Sequence, residues 1–246
     1  MIDIVITACR RHEILEQTLT SFKKNLFKDY PIRMFVNVDP VGPDKDHLEC
    51  IMDVCHIVFP QIEILFKAPD TPNFSAAFKW TWDNVISEFA FHLEDDWKLL
   101  HEVNLQDMID MLTRHENLAL LRLPQFKSTE NQMKNWDKFF PWNGEYFECP
   151  EELKMSTGFC GHPSLIKGEF VRNIAPYIDI TRNPEKQFHH GPKEIMGEVA
   201  KWSYGVYGKP NSPPTIQDLG RKWLLATGWQ KKGSKAFFME WEKKGV

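Results

Sequence analysis

The chain has 246 residues, of which 42% are hydrophobic and 26% charged, with 13 Gly and 16 Pro; this is the make-up of a folded globular protein and excludes disordered, collagen-like and low-complexity classes. Thirty basic against 34 acidic residues leave a net charge of −4, so the molecule as a whole is not a polyanion binder and any nucleic-acid contact has to be local. Five cysteines (Cys9, Cys50, Cys55, Cys149, Cys160) at no metal-like spacing, with no apolar signal segment at the start, predict a reducing, cytoplasmic location, and charges interrupt every apolar run before the ~20 residues that a bilayer span needs.

Residues 1–125 alternate short β-like runs with amphipathic stretches, the pattern of parallel βαβ units. Strands are expected at Asp3–Thr7, Ile32–Val38, Ile62–Phe66, Phe89–Leu93 and Leu118–Leu123. Helical spacing runs through Ile14, Leu15, Thr18, Leu19 and Phe22, through Leu48, Ile51, Met52 and Cys55, through Phe74, Phe78, Trp82, Val85 and Phe89, and through Leu105, Met108, Ile109 and Leu112. An open, mostly parallel sheet with helices on both faces follows, and such sheets bind ligands at the carboxyl ends of their strands. Polar residues gather there: Thr7-Ala8-Cys9-Arg10-Arg11 after the first strand, Asp39 after the second and Glu94-Asp95-Asp96-Trp97 after the fourth. Beyond residue 125 the text turns to Trp136, Phe139, Phe140, Pro141, Trp142, Asn143 and Gly144 without a period and reads as surface loop.

Three successive carboxylates after a hydrophobic strand repel one another. A divalent cation with oxygen ligands is one remedy, and a solvated turn capping the next helix is the other. P-loop, dinucleotide and serine-hydrolase motifs are absent. His47, Cys50, Cys55 and His56 lack zinc spacing, and His189 with His190 reads as an exposed pair rather than a metal site.

Ile4-Val5-Ile6-Thr7 leading into Arg10-Arg11, then Val36-Asn37-Val38-Asp39, then Leu93-Glu94-Asp95-Asp96 resembles, in order and spacing, the nucleotide-sugar glycosyltransferases of the GT-A fold class. The resemblance implies a three-layer α/β/α fold with a mostly parallel central sheet. It implies a donor-binding half at 1–125, and an acceptor-side half with a closing segment at 126–246 of the same domain. The activity it implies is metal-dependent transfer of a sugar from a nucleotide-diphosphate donor to an acceptor hydroxyl. On that resemblance Asp96 would hold Mn²⁺ or Mg²⁺, with Asp218 completing the metal shell. Thr7, Ala8, Arg10, Asp39, Glu94 and Asp95 would meet the nucleotide, and Arg221 and Lys222 the leaving diphosphate. Trp97, Gly158 and Phe159 would face the acceptor, and Met155–Pro163 would precede a helix around Ile166–Ile174. Glu185 would be the general base, with Glu194 and Glu198 competing for that role.

Residues 221–246 carry seven basic and two acidic side chains, interleaved with Trp223, Trp229, Phe237, Phe238 and Trp241, leaving −9 on the remainder. That tail suits a lid over a diphosphate, peripheral contact with a membrane or nucleic acid, or a terminal helix docked on the core. Glycan, lipid-linked saccharide, protein and modified DNA are all open as acceptors. Two rivals stand beside the transferase. One is a sugar-nucleotide nucleotidyltransferase, which normally carries a glycine-rich loop where Ala8–His12 has no glycine; the other is a non-catalytic carbohydrate- or nucleic-acid-binding module.

Overall fold

The computed structural model describes residues 1–28, 30–43, 47–125, 132–135, 138–232 and 240–243. In chain order the elements are β1 (Ile2–Cys9), α1 (His12–Phe22), β2 (Ile32–Asp39), α2 (Leu48–Val58), β3 (Ile64–Lys67), α3 (Phe74–Asp83), β4 (Phe89–Glu94), β5 (Trp97–Leu99), α4 (Leu105–Arg114), β6 (Leu118–Arg122), β7 (Gln132–Asn135) and β8 (Lys138–Pro141). There follow β9 (Phe147–Glu148), α5 (Lys154–Thr157), β10 (Ser164–Lys167), α6 (Gly168–Ile174), α7 (Pro184–His190), α8 (Lys193–Lys201), β11 (Ser203–Val206), β12 (Ile216–Asp218), α9 (Gly220–Thr227), β13 (Trp229–Lys232) and β14 (Glu240–Lys243).

Eight strands form one sheet in the order β3-β2-β1-β4-β10-β6-β11-β9. The pairs β1·β2, β1·β4, β2·β3 and β6·β11 are parallel, whereas β10 runs antiparallel between β4 and β6, and β9 antiparallel beside β11. Strand alternation sorts the side chains into two cores. Ile4, Ile6, Ala8, Phe91 and Leu93 pack with Leu15, Leu19, Ile51, Met108 and Leu112 on one face. Val5, Ala90, Leu120 and Ile166 pack with Phe78, Trp82, Phe170, Phe188 and Val199 on the other. Each fully buried Leu or Phe contributes roughly 1.5–3 kcal/mol, so a strand shifted by one residue would lose both faces together. The expected three-layer α/β/α fold with a mostly parallel sheet is what the chain adopts.

Helix starts follow their caps: Asn73 Oδ1 accepts from Ala76 N at 2.9 Å to open α3, and Asn104 Oδ1 accepts from Asp107 N at 3.1 Å to open α4. Asp3, buried in β1, is held by Arg33 at 2.6 Å and by the backbone N–H groups of Ile86 and Ser87, both at 2.8 Å.

All five expected strands form, with β3 displaced to Ile64–Lys67. Four readings change. The third helix stops at Asp83, leaving Phe89 to open β4. Ile166 lies in a central strand, not in the helix expected around Ile166–Ile174, because β10 fills the space between β4 and β6 and α6 starts only at Gly168. The stretch read as loop carries the antiparallel pair β7·β8, and the tail, for which a terminal helix docked on the core was one of three readings, holds α9 followed by the antiparallel pair β13·β14. Trp136, Lys235, Phe237, Phe238 and Lys244 lie outside the described residues.

Candidate active site at the carboxyl ends of the strands

Parallel registry puts Cys9 opposite Asp39 and Thr7 opposite Glu94, so the polar ends of β1, β2 and β4 share one edge. They line a small cavity of about 20 Å³ to which Thr7, Ala8, Asp39, Glu94, Asp95 and Trp241 all contribute. Burial pushes the Asp39 carboxyl up to about 6, against hydrogen bonds from the Asn73 backbone and the Asn37 side chain.

Asp95 is buried and fully occupied. Arg11 Nε donates to its Oδ2 at 2.8 Å and Arg11 Nη2 to its Oδ1 at 2.5 Å, while Cys9 N donates to Oδ2 at 2.8 Å. Burial by itself works against a charged guanidinium, and the charges of Asp95 and Asp96 outweigh it, holding Arg11 cationic well above its ordinary range. A buried bidentate pair of this kind is a rigid support, since removing either partner strands the other. Arg11 turns inward at the start of α1, whereas Arg10, expected to face the nucleotide, does not line the cavity and its Nε is buried without a hydrogen-bond partner.

Asp96 is the more open acid. Its Oδ2 accepts from Arg11 Nη2 at 3.0 Å, and its backbone oxygen accepts from Leu219 N at 2.8 Å. The β5·β12 pairing sets Asp218 beside Trp97. At Gly220, N donates to Asp218 Oδ1 at 2.8 Å, and a Cβ would sit 2.0 Å from Asp96 Oδ2. The two carboxylates, far apart in sequence, therefore meet at one glycine. Trp223 stacks on the Arg11 guanidinium at 5.1 Å from behind. Arg221 is exposed and pairs with Asp218 at 3.1 Å, and Lys222 is exposed on the same helix.

A second, larger cleft of about 330 Å³ lies next to this one, with Arg122, Phe159, Cys160, His162, Glu185 and His189 on its walls. Asn183 caps α7 and so fixes Glu185, whose Oε1 accepts from Gly161 N at 2.5 Å. A Cβ at Gly161 would lie 2.7 Å from Glu94 Oε1 and 2.8 Å from Glu185 Oε1. Gly161 is thus the point where the small cavity and the larger cleft meet, one carboxylate from each side converging on it. Phe159 stacks on Phe188 with centroids 4.1 Å apart. Trp97 is buried with its ring 5.0 Å from His162, and Gly158 is packed against Tyr204, where a Cβ would come within 2.8 Å of the ring; both stand behind the cleft wall instead of on it. Of the competing acids, Glu198 is held by Asn173, Lys201 and Trp202, and Glu194 lines neither cavity.

Arg11, Gly220 and the grouping of Arg122 with Cys160 and His162 were not singled out from sequence; only the Arg10-Arg11 doublet pointed toward the first of them, and Gly161, within Met155–Pro163, reads from sequence as a tight turn. Among the described residues no group of three His, Cys, Asp or Glu side chains is placed to hold a metal ion alone, and no helix is long and apolar enough to cross a membrane.

No protein-family model and no curated protein matches this chain. Solved structures do. TarS from S. aureus superposes with a TM-score of 0.56 at 10% identity, covering 87% of this chain and 36% of that one. TarS 1–349 in complex with UDP-GlcNAc gives 0.53 at 10% identity over 88% and 58%. The mannosyltransferase PcManGT from Pyrobaculum calidifontis, in complex with GDP-Man and Mn²⁺, gives 0.53 at 10% identity over 85% and 55%. This chain therefore spans between about a third and three fifths of those chains, and at this identity the likeness shows a shared fold.

Proposed function

We propose that this chain is a glycosyltransferase that moves a sugar from a nucleotide-diphosphate donor to an acceptor hydroxyl. The observation that carries the reading is the junction at Gly161, where Glu94 from the strand-end cavity and Glu185 from the neighbouring cleft face the same point. A donor held in the cavity and an acceptor held in the cleft would bring their reacting atoms together there. The fold shared with TarS and PcManGT, crystallised with UDP-GlcNAc and with GDP-Man and Mn²⁺, supports it.

In this reading Thr7, Ala8 and Asp39 meet the base and ribose, with Glu94 at the donor's sugar end. Asp95 acts through Arg11 as a support and not as a ligand. Asp96 and Asp218 fit a hard divalent cation, because such ions are often held by one or two carboxylates with donor phosphates filling the other positions. Bound there, Mn²⁺ or Mg²⁺ would neutralise charge on the departing diphosphate, and Arg221 and Lys222, on the closing helix, would add to that. Glu185 accepts the proton of the acceptor hydroxyl as its oxygen bonds to the anomeric carbon, and the nucleoside diphosphate leaves with the electron pair of the broken C–O bond. Phe159 lines the acceptor path, with Trp97 and Gly158 supporting it from behind. The division at residue 125 is then not strict: Asp218, Arg221, Lys222 and Trp241 return to the donor side, and Arg122 stands on the wall of the acceptor cleft.

A cavity of about 20 Å³ holds one water and not a nucleoside, so Trp241 leaves it when donor binds. Nucleotide addition should change tryptophan emission in the wild type and not in Trp241→Phe. The function itself is tested by thermal shift with UDP- and GDP-sugars, with and without Mn²⁺, where a ligand at 100 times its dissociation constant adds about 2.7 kcal/mol. Stabilisation by a nucleotide sugar that depends on Mn²⁺, together with donor hydrolysis, is expected. Absence of any stabilisation across the donor panel overturns the reading, and stabilisation without turnover points to a binding module.

A further inference from the structure

The acceptor-side cleft contains chemistry that sugar transfer does not use. Arg122, at the end of β6, is 2% exposed and lines the cleft. Its Nη2 donates to Thr157 O at 2.9 Å, its guanidinium lies 4.9 Å from the centre of the Phe140 ring, and its Nε is buried without a hydrogen-bond partner. Among the described residues no carboxylate pairs with it. Its Nη1 instead donates to Cys160 Sγ at 3.0 Å, and His162, two residues along the same wall, hydrogen-bonds the same sulfur. A buried guanidinium requires a counter-charge, and among the described residues the ionisable group in hydrogen-bond contact with it is this thiol.

We propose that Cys160 is a modification site, a thiolate held by Arg122 and His162 and open to the acceptor cleft, that takes soft electrophiles. The sulfur lone pair attacks the electrophilic carbon, an S–C bond forms, and the leaving group departs with its bonding electrons; no separate oxidant or base is consumed, since the sulfur is already deprotonated. Burial by itself pushes this thiol up, and the charges of His162 and Arg122 with the His162 hydrogen bond bring it down to about 6, against the opposing charge of Glu185 on α7. Lys186 and His189, on the same helix, also line the cleft. The other cysteines lack this setting. Cys9, Cys55 and Cys149 are buried, with burial pushing Cys55 up to about 12 and raising Cys149, and Cys50 is half-buried away from the cleft. That an adduct would also obstruct the acceptor, through its position beside Glu185, rests on the transferase reading; the thiolate does not.

The test is alkylation of the native chain by iodoacetamide, followed residue by residue with mass spectrometry from pH 5 to 9.5. A readout by mass is independent of transferase activity. A low-pKa thiol is more abundant as thiolate at low pH and loses part of that gain in nucleophilicity, so at pH 6 Cys160 should react at least about 10-fold faster than the half-buried Cys50, and its own rate should level off above about pH 7. His162→Asn should move the plateau up by at least about one pH unit. A Cys160 rate that tracks Cys50 across the whole range overturns the proposal, with no variant needed; an unshifted plateau in a folded His162→Asn protein overturns the role of His162.

Discussion

The strand-end cavity and the neighbouring cleft each rest on a buried arginine, and the two arginines meet different partners. Arg11 meets carboxylates: Asp95 takes both of its inner nitrogens and becomes a fixed strut, which leaves Asp96 as the acid with capacity for something else. Arg122 meets a thiol and a ring, with no carboxylate among the described residues. The same guanidinium therefore quiets one site and activates the other. Three adjacent acids do not make one site either: Asp95 is structural, Asp96 turns to Asp218 at Gly220, and Glu94 turns to Glu185 at Gly161.

The contrast breaks most readily at Arg11. Arg11→Ala strands a buried Asp95 and should lower unfolding stability by about 3–5 kcal/mol in denaturant titrations; a loss under about 1 kcal/mol would mean that the pair is not the strut described. Next, Asp96→Asn should reduce transfer and metal-stimulated donor hydrolysis by about 100- to 1000-fold with the melting temperature nearly unchanged. Full activity of that variant in EDTA would remove the metal role. Third, the Asp39 carboxyl is pushed up to about 6 by burial, so the folded state binds the extra proton between about 4 and 6, and the penalty of the charge is complete above 6. Asp39→Asn should therefore stabilise the fold by up to about 3 kcal/mol at pH 7.5 and by nothing at pH 3.5, while weakening donor binding, both readable from melts with and without nucleotide. The smallest effect sharpens the acceptor side: Glu185→Gln should lower kcat by about 100-fold and leave donor KM alone. An unchanged kcat would move the base elsewhere.

The strand-end cavity was legible because its signals are local. Short apolar runs mark β1, β2 and β4 and helical spacing marks the helices between them, and the polar residues sit immediately after each strand, at the edge where an open sheet leaves them accessible. The neighbouring cleft offers no such signal. Ser164–Lys167 is four residues long and merges into the apolar spacing of α6, so nothing in the text announces a central strand. Gly161 and Gly220 are informative only through carboxylates distant in sequence, and Arg11 differs from Arg10 only in which way the first turn of α1 points it. Trp97 illustrates the limit: the resemblance implies that it faces the acceptor, whereas alternation in β5 turns it inward against His162.

The place of β10 also has a consequence in time. Because β4 and β6 are both hydrogen-bonded to it and not to each other, the sheet emerging from a ribosome has a gap in its middle until residue 167 is made. Until then the early βαβ units can form while β6 waits with an open edge, and long-range antiparallel closure of that kind is the slow step in folding. Nascent chains halted before Ser164 should accordingly be far more prone to aggregation and protease than chains halted a few dozen residues past Lys167.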